Sequence, residues 1–371
     1  MLHNDHSQIS GDPLRERSGA SCAIEQVRIA ELAPATRRTL DAIDTVLIYH
    51  TPLITRFRGV TEREGLLLHG PEGWSEAAPF WDYGPPESSR WLMAALEAAT
   101  QTPPTARRTS VPVNVTIPVG TPAEAAERVQ ASGGCTTAKV KVADPGMTVD
   151  QDCERVAAVA RELARELARI SDDPHVRIDA NMAWDVPTAI AAITALHEAA
   201  ASAGGLEYAE QPCRTVEELA RVRARVDVPI AADESIRRAE DPYAVIRAHA
   251  ADVAIIKLAP LGGARAAREI AERAGIKVVV SSALESSIGL ARGLQLAACL
   301  PVETACGLAT AQLFAADTVR EPLKVESGRI QVHDMRVDEK LIDACPLPAG
   351  CRDRWIDRLD AMCAVLNEER Q

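Results

Sequence analysis

Short apolar runs alternate with helical stretches rich in Ala, Glu and Arg over most of the chain beyond residue 105. The runs are rich in β-branched residues, and they begin at Val111, Thr137, Val176, Leu206, Ile230, Val253, Val278 and Thr304. The later runs start about 24 residues apart, which suits one strand, one helix and two short turns. Eight such repeats favour an α/β fold of the (β/α)8 barrel type, a modified TIM barrel, over an open sheet.

The segment before the barrel has a different pattern. Apolar residues between Thr45 and Phe80, with a turn at Gly70–Gly73, predict a small antiparallel meander, and Trp91–Thr100 predicts a helix. We therefore expect a loosely attached extension at 1–40, an α+β capping domain at 41–104, the catalytic barrel at 105–320, and a C-terminal segment at 321–371 that packs on the capping domain.

Composition narrows the class of protein. At 371 residues the chain can bury a large core, and a net charge of −12 argues against a nucleic-acid partner, which would need a basic surface. The nine cysteines form no Cys-x-x-Cys pair, as is typical of reduced thiols in a cytoplasmic enzyme. No run approaches the ~20 apolar residues of a membrane span, and the N-terminus has no signal-peptide pattern. We expect a cytoplasmic monomer or homo-oligomer that acts on a small molecule.

Charged residues stand where several of the apolar runs end. Six of them mark successive strands of the predicted barrel: Lys139, Lys141, Asp179, Glu210, Asp233 and Lys257. In a parallel barrel the C-terminal ends of the strands meet at one face, and catalytic residues gather there. A lone charge in such a place is more often a helix cap or a solvated side chain. A whole series at barrel spacing instead predicts one shared site.

The residue types indicate the chemistry of that site. Three carboxylates from neighbouring strands suit a hard cation such as Mg²⁺, with Mn²⁺ as a substitute, and the lack of a His or Cys in the series argues against zinc. Lys139 and Lys141 are two apart on one strand, so both point into the barrel and each disfavours the charging of the other. Lys257 comes from the opposite side of the pocket. Such a site can remove a proton next to a carboxylate and stabilise the anion that forms.

These motifs together resemble the enolase superfamily, and within it the muconate-lactonising-enzyme subgroup. The resemblance covers about residues 45–325 and rests on Lys-x-Lys, Asp-x-Asn, Glu-Gln-Pro, Asp-Glu-Ser and the lysine of the later strand. It implies an enolase-like barrel in which Lys141 is the base, Lys139 tunes it, and Lys257 is the opposing lysine. It also implies that Asp179, Glu210 and Asp233 bind the metal, with Asn181 and Glu234 beside them.

Several features are similar to the actinobacterial o-succinylbenzoate synthase branch of that subgroup. They are a short capping unit with Trp74-Ser75-Glu76, the residue Arg177, and the stretch Ala305–Thr310, which resembles a Cys-Gly-Leu-Gly-Thr signature. Membership would imply a lyase of menaquinone biosynthesis that dehydrates a succinyl-hydroxycyclohexadiene carboxylate. Ser75 and Ala309 stand where that branch usually has glycine, and this bears on the substrate more than on the chemistry.

Contacts with the substrate are less clearly marked. Ser281 and Ser282, at the end of the seventh run, could donate hydrogen bonds to a substrate carboxylate or could cap the helix that begins near Ser286. Gly307 lies in the eighth-strand signature. Arg58 lies in a loop that could fold over the barrel mouth, although exposed arginines are usually only solvated.

Three alternative functions remain at this point. The same scaffold could racemise N-acylamino acids or epimerise dipeptides, and both lysines would then have to act as bases. A barrel without catalysis, serving as a binding module, is disfavoured by the intact set of acids and lysines. Sugar-acid dehydration by relatives with a His-Asp base is disfavoured because Lys257, and not His, occupies that strand.

Overall fold

The computed structural model describes residues 20–167, 173–239, 241–302 and 304–368 of the chain. The first 19 residues of the predicted N-terminal extension lie outside the described residues, as do the last three residues of the C-terminal segment. Among the described residues, no helix combines the length and the apolar character that crossing a bilayer requires.

The described residues form the strands and helices that follow. The strands are β1 (Ala23–Val27), β2 (Thr45–Phe57), β3 (Val60–Gly70), β4 (Gly73–Ala77), β5 (Ser110–Pro112), β6 (Val115–Ile117), β7 (Thr137–Lys141), β8 (His175–Asp179), β9 (Leu206–Glu210), β10 (Ile230–Ala232), β11 (Val253–Ile256), β12 (Lys277–Val280) and β13 (Arg329–Gln331). The helices are α1 (Pro34–Thr39), α2 (Pro85–Thr100), α3 (Pro122–Gln130), α4 (Val149–Leu167), α5 (Val186–Ala199), α6 (Val216–Arg223), α7 (Glu234–Arg237), α8 (Ala244–Arg247), α9 (Ala264–Arg273), α10 (Ser287–Cys299) and α11 (Cys351–Glu368).

A four-stranded antiparallel sheet, in the order β1-β2-β3-β4, forms the capping unit. The turn between β2 and β3 is Arg58-Gly59, and both residues have positive φ, as a tight two-residue hairpin requires. Strand β1 pairs along its whole length with β2, so part of the range 1–40 lies in the same sheet as the capping strands. The domain boundaries themselves stay predictions.

Helices α2 and α11 cover this sheet and share a core with it. Leu92 of α2 and Trp355 of α11 are fully buried in one cluster with Ile48 and Leu68 of the sheet. Trp355 also donates from Nε1 to the Glu64 carboxylate at 3.0 Å, so its one polar atom has a partner inside the core. The C-terminal helix therefore lies on the capping sheet.

Seven parallel strands, in the order β6 to β12, form the curved wall of the barrel. Several of the helices that cover them start at side-chain caps. Thr121 and Glu124 form a reciprocal capping box at α3, and Thr215 and Glu218 form another at α6. Each cap fixes where a strand-to-helix loop ends, and the buried faces of the helices then cover the outside of the sheet.

The eighth position of the barrel is filled by residues 305–308 through single bridges and not by a regular strand. The N–H of Cys306 donates to the Pro112 carbonyl at 2.7 Å, and the N–H of Gly307 donates to the Val280 carbonyl at 2.8 Å. This segment thus joins β12 to the chain that leads into β6 and closes the ring. The predicted barrel fold is confirmed, with two differences in detail, of which the first is that the eighth run forms isolated bridges and no regular strand.

The second difference concerns the first predicted run. The run that begins at Val111 is divided: β5 pairs antiparallel with β13, outside the barrel, and the barrel strand β6 begins only at Val115. β5 ends at Pro112, and the chain changes partner over the next two residues: the Val113 N–H donates to the Gly328 carbonyl beside β13, and the Asn114 N–H donates to the Cys306 carbonyl of the barrel.

We expect truncation of the shared core of the capping unit to destabilise the protein strongly. Leu92→Ala should lower the free energy of unfolding by about 2–5 kcal/mol, because Leu92 is fully buried between α2, α11 and the sheet. The neighbouring Met93, 39% exposed on the same helix, supplies the control. Met93→Ala should change the free energy by less than about 1 kcal/mol. Urea unfolding followed by circular dichroism measures both, and equal effects would contradict this packing.

Candidate active site

The predicted charged residues lie together at the C-terminal edge of the barrel wall. Strands β7, β8 and β9 end at Lys141, Asp179 and Glu210, which are direct partners in the register of the sheet. Asp233 follows β10 and Lys257 follows β11. The structure thus places these side chains at one face, where the loops after the strands converge.

Lys139 is buried between two carboxylates. Its Nζ lies 3.1 Å from both oxygens of Glu210 and 3.3 Å from Oδ2 of Asp179. Burial alone would lower the pKa of this amine, but the two carboxylates outweigh burial and hold the pKa of Lys139 well above its usual range. Lys139 is therefore a fixed positive charge within the site.

Lys141 has the opposite electrostatic character. Its Nζ donates to Oδ2 of Asp179 and, at 2.8 Å, to Oδ1 of Asn181, and it lies 5.3 Å from the centre of the Phe57 ring. Burial lowers the pKa of this amine, the Asp179 carboxylate opposes that effect, and the Lys139 ammonium adds to it, so the pKa of Lys141 is below its ordinary value. An amine with a lowered pKa is the kind of group that can accept a proton from a substrate.

The carboxyl groups of Glu210 and Asp179 also differ from each other in pKa. Burial, and then the charge of the neighbouring Asp179 carboxylate, raise the pKa of Glu210 to about 7 against the opposing effect of Lys139. Burial alone would raise the pKa of Asp179, but the charges of Lys141 and Lys139 outweigh burial and hold this pKa well below the usual range. In this constellation, a positive charge added near Glu210 would favour its ionised form.

Asp233 is held from two sides. Lys257 Nζ lies 2.6 Å from its Oδ2, and Arg237 Nε lies 2.9 Å from its Oδ1. Burial alone would raise the pKa of Asp233, but the charges of Arg237 and Lys257 outweigh burial and hold this pKa well below the usual range. Lys257 therefore stands at the cavity as a cation whose position is fixed by a carboxylate.

Arg237 is a member of the site that the sequence analysis missed. Its guanidinium spans Asp233 and Glu234, the latter at 2.7 Å, and it also donates to the Tyr83 hydroxyl of the capping unit. The signal was present, because Arg237 follows Asp233 by four residues, and such a pair shares one face of a helical turn. The link through Tyr83 joins the barrel site to the cap.

Asn181 and Glu234 lie beside Lys141 and next to each other. Asn181 accepts from Lys141 and donates from Nδ2 to Oε1 of Glu234 at 3.4 Å. The second carboxylate oxygen of Glu234, Oε2, is buried and has no hydrogen-bond partner among the described residues. A buried acceptor of this kind is an unused ligand position next to the three carboxylates.

Arg177 lies one layer deeper in the barrel, two residues before Asp179. It pairs with Glu207 at 2.7 Å, donates to the Ala305 carbonyl at 2.7 Å, and stacks over the Tyr208 ring. It therefore connects β8 to the closing segment of the barrel, and its partners are not the three carboxylates of the site.

A cavity opens above the lysines, and the residues expected to contact substrate line it. Its walls are formed by Phe57, Arg58, Thr116, Lys139, Lys141, Asn181, Lys257, Ser281, Ser282, Ala283, Leu284, Gly307 and Thr310. Ser282 shares a hydrogen bond of 2.7 Å with Thr310. Helix α10 is capped by Ser286 and not by Ser281 or Ser282, so the alternative that these two serines serve as its cap is wrong.

The hairpin turn of the capping unit closes one side of the cavity. Arg58 is exposed, but its guanidinium lies 4.6 Å from the centre of the Phe80 ring, which restrains it over the barrel mouth. Phe57 faces Lys141 from the same hairpin. The cap thus contributes apolar and cationic surface to a site whose reactive groups come from the barrel.

Strained backbone is concentrated in the loops around the site. Ala143, Asn181, Met182, Gln211 and Leu284 all have positive φ, which costs about 1 kcal/mol or more for residues other than glycine. Each follows a barrel strand at the C-terminal face. Gln211 is held in place by accepting from the N–H of Asp233 at 2.9 Å, so one loop fixes the next.

The residues present fit a hard divalent cation. Three carboxylates from adjacent strands converge on the lysines, and the free Oε2 of Glu234 adds a further oxygen donor. Oxygen donors without sulfur or imidazole favour Mg²⁺ or Mn²⁺ over zinc.

A second group of potential ligands lies in the capping sheet. Ligand atoms of His50, Glu62 and Glu64 lie within 4.8 Å of one another. The Glu64 carboxylate already accepts from Arg354 and Trp355, and the Glu62 carboxylate shares a hydrogen bond with His50. Like the barrel carboxylates, these two glutamates already have partners within the protein, so both groups are candidates for a cation.

The sequence matches two family models. Residues 121–336 match the enolase C-terminal domain-like family, and residues 48–99 match the enolase N-terminal domain-like family. The o-succinylbenzoate synthase of Mycobacterium tuberculosis H37Rv is 47% identical over 325 residues, 87% of this chain and 95% of that protein. The chain belongs to the o-succinylbenzoate synthase family. The family member from Mycolicibacterium smegmatis is 46% identical over 88% of this chain and 97% of its own.

Solved structures outside this family share the fold. Muconate lactonizing enzyme from Pseudomonas fluorescens, complexed with muconolactone, superposes with a TM-score of 0.67 at 21% identity and covers 87% of this chain and 98% of its own. The L-Ala-D/L-Glu epimerase from Bacillus subtilis superposes with a TM-score of 0.65 at 21% identity, over 79% and 96% of the two chains. At these identities the likeness shows the fold alone.

Behind the cavity, this member of the o-succinylbenzoate synthase family buries two carboxyl groups at the contact between cap and barrel. Glu76 of β4 accepts from the Tyr49 hydroxyl at 2.7 Å and from the backbone N–H groups of Ser286 and Gly289 at the start of α10. Glu285 lies beside it and accepts from the Ala283 N–H at 2.7 Å. Burial, and then the charge of Glu76, raise the pKa of Glu285 to about 7.

Glu285 should make the protein less stable as pH rises. Its pKa is about 7 in the folded chain and about 4.3 in an unfolded one, so folding favours the protonated form. The stability from this group is complete below about pH 4 and is lost as pH rises through about 7. Between pH 5 and pH 8 that loss is roughly 2–3 kcal/mol.

Glu285→Gln should remove this part of the pH dependence. We expect the free energy of unfolding of the variant to fall less between pH 5 and pH 8 than that of the wild type, as measured by urea unfolding at both values. Glu217→Gln, a change at an exposed glutamate of α6, should keep the wild-type slope. Parallel curves for wild type and Glu285→Gln would contradict a proton bound at Glu285.

Proposed function

We propose that this chain dehydrates 2-succinyl-6-hydroxy-2,4-cyclohexadiene-1-carboxylate to o-succinylbenzoate, as the name of its curated relatives implies. The observation that carries the proposal is the placement of Lys141 and Lys257 on one cavity, with Asp179, Glu210 and Asp233 beside them. This geometry suits removal of a proton next to a carboxylate.

A metal site is part of the proposal. Asp179, Glu210 and Asp233 would hold a Mg²⁺ ion, for which Mn²⁺ could substitute, and Asn181 and Glu234 would support them. The cation would supply positive charge next to the substrate carboxylate, where negative charge develops as the proton leaves. Lys139 remains between Asp179 and Glu210 and keeps the protein's own charges balanced.

Lys141 is the base in this proposal. Its neutral amine takes the proton from the ring carbon that carries the carboxylate, and the electron pair left behind delocalises into that carboxylate. The bond between the neighbouring carbon and its hydroxyl group then breaks. Lys141 returns the proton to the departing hydroxide, so one water molecule leaves, the amine is neutral again, and the ring is aromatic.

Lys257 keeps its charge in this reaction. The Asp233 carboxylate holds its ammonium group at 2.6 Å, and the ammonium faces the cavity from the side opposite Lys141. A fixed cation there stabilises the anion formed after proton removal without itself exchanging protons. Ser281, Ser282, the backbone at Gly307 and the Arg58 guanidinium are the proposed contacts of the substrate's carboxylate and succinyl groups.

Racemisation of N-acylamino acids or epimerisation of dipeptides is the competing function. It finds support in the second lysine, which faces the cavity as a second base would. The structural neighbours that include an epimerase bear on the fold alone. The two functions assign different roles to Lys257, and substitution of that residue separates them.

We expect different effects from the two lysines. Lys141→Ala should reduce kcat/KM for loss of diene absorbance by at least about 100-fold, because the base is removed. Lys257→Ala should also slow dehydration, but exchange of the substrate's α-proton with D₂O, read by mass spectrometry, should partly survive. Lys277→Ala, at an exposed lysine on the far end of the barrel, serves as the control. Near-full activity of Lys141→Ala would overturn the mechanism. The competing function would be favoured if the wild type acted only on an N-acylamino acid or a dipeptide and Lys257→Ala lost that activity.

Removal of the cation should abolish activity, and its binding can be measured separately. After treatment with a chelator, activity should return with Mg²⁺ and in part with Mn²⁺. In calorimetric titrations with Mg²⁺, Glu210→Gln should weaken binding by at least about 10-fold, since a charged ligand is lost. Glu62→Gln tests the group in the capping sheet and should leave Mg²⁺ affinity unchanged. If Glu62→Gln weakened Mg²⁺ binding and Glu210→Gln did not, the cation would bind at His50, Glu62 and Glu64 instead.

A further inference from the structure

Helix α4 contacts the backbone on both sides of Lys141. Arg155 Nη2 donates to the Lys141 carbonyl at 2.6 Å, and Asp152 Oδ2 accepts from the Ala143 N–H at 2.8 Å. The two side chains are also paired with each other, with 2.6 Å between Asp152 Oδ1 and Arg155 Nη2. Together they form a clasp, defined by Asp152 and Arg155, around the end of β7.

The sheet itself leaves this point of the backbone partly unsupported. On one side, the Val142 N–H donates to the Asp179 carbonyl at 3.1 Å. On the other side, β6 ends at Ile117, which is paired with Val140, so this strand stops one residue short of Lys141 and gives it no ladder partner. The Lys141 carbonyl therefore takes its hydrogen bond from Arg155 and not from a neighbouring strand.

The backbone immediately after Lys141 is also strained. Ala143 has a φ of 61°, in the left-handed region that residues with a Cβ rarely adopt. Its N–H is the group that Asp152 accepts. The clasp thus holds the chain in a conformation that a free loop would leave.

Stability alone gives a poor account of the clasp. Arg155 is fully buried and Asp152 is 1% exposed, and no group among the described residues accepts from Nε or Nη1 of Arg155. A buried ion pair with unsatisfied donors is often no more stabilising than apolar side chains of similar volume. Such a pair is better explained by what it positions.

We propose that Asp152 and Arg155 are positioning residues that fix the backbone of Lys141 and so aim its amine at the substrate carbon. The inference rests on the proposed function, in which Lys141 is the base. Neither residue touches the cavity, since both act from α4 through the main chain. A base displaced by about 1 Å loses much of its rate while the substrate still binds.

The test compares variants of α4 in the full-length protein with Mg²⁺. Arg155→Met removes the donor to the Lys141 carbonyl, and Arg155→Lys keeps a positive charge at that position. The double variant Asp152→Asn/Arg155→Met leaves no unpaired buried charge and retains an oxygen for the Ala143 N–H. The double variant therefore replaces Arg155→Met in the test if Arg155→Met alone does not fold. Arg165→Met, at an exposed ion pair of the same helix, is the control.

For dehydration we expect kcat to fall about 10- to 100-fold in Arg155→Met and in the double variant, with KM within about twofold of wild type. Arg155→Lys should recover part of the loss, and Arg165→Met should match wild type. A folded double variant with kcat within twofold of wild type would overturn the proposal. So would a fall in kcat matched by an equal rise in KM, because that pattern indicates general disruption of the site.

A second measurement tests how firmly the clasp holds the backbone and does not require turnover of substrate. Hydrogen–deuterium exchange of peptides containing Ala143 should be at least about 10-fold faster than in wild type when Asp152→Ala/Arg155→Met also removes the oxygen that accepts from the Ala143 N–H, and unchanged in Arg165→Met. Unchanged exchange in Asp152→Ala/Arg155→Met would also overturn the proposal. If the wild type does not dehydrate the cyclohexadiene substrate, the proposed function fails, and the exchange measurement then decides whether the clasp holds the end of β7.

Discussion

Charge balance at the barrel mouth is the constraint on which the rest of the site depends. Asp179, Glu210 and Asp233 are buried, and a buried carboxylate is tolerated only with a cation and hydrogen bonds around it. Lys139 and Lys141 come from one strand, and Lys257 comes from another. These lysines supply the counter-charges, so no member of the set can be removed without leaving a partner uncompensated.

The same balance gives the two lysines of β7 different properties. They are two residues apart and share Asp179, yet Lys139 has two carboxylates within 3.3 Å, whereas Lys141 has one carboxylate and an amide. The pKa of Lys139 is raised and that of Lys141 is lowered. One side chain is thereby kept as a charge and the other becomes suited to proton transfer. Their neighbours on β8 and β9, rather than the lysines themselves, make the difference.

The position of the charged residues could be predicted from sequence because each one ends an apolar run, and parallel strands bring such ends together. Arg237 was missed because a cation within a short helical turn looks like any solvated arginine until its partners are seen. Phe57 and Thr310 were missed because contact across the cavity depends on how the cap sits on the barrel. The extent of the first and eighth strands was also hidden. The end of β5 at Pro112 and the isolated bridges of residues 305–308 are both set by pairing between segments that are distant in sequence.

In the proposed function, chemistry and substrate choice are carried by different parts of this molecule. The lysines and carboxylates of the site stand on strand ends, whereas Phe57 and Arg58 come from the hairpin between β2 and β3 of the cap. A lactonizing enzyme and an epimerase share the fold at 21% identity. A site that stabilises a carbanion next to a carboxylate can serve several reactions, and the surface that closes over it must then select the substrate. In this chain that surface is tied to the site through Tyr83 and Arg237, so a change in how the cap sits would also be felt at Asp233.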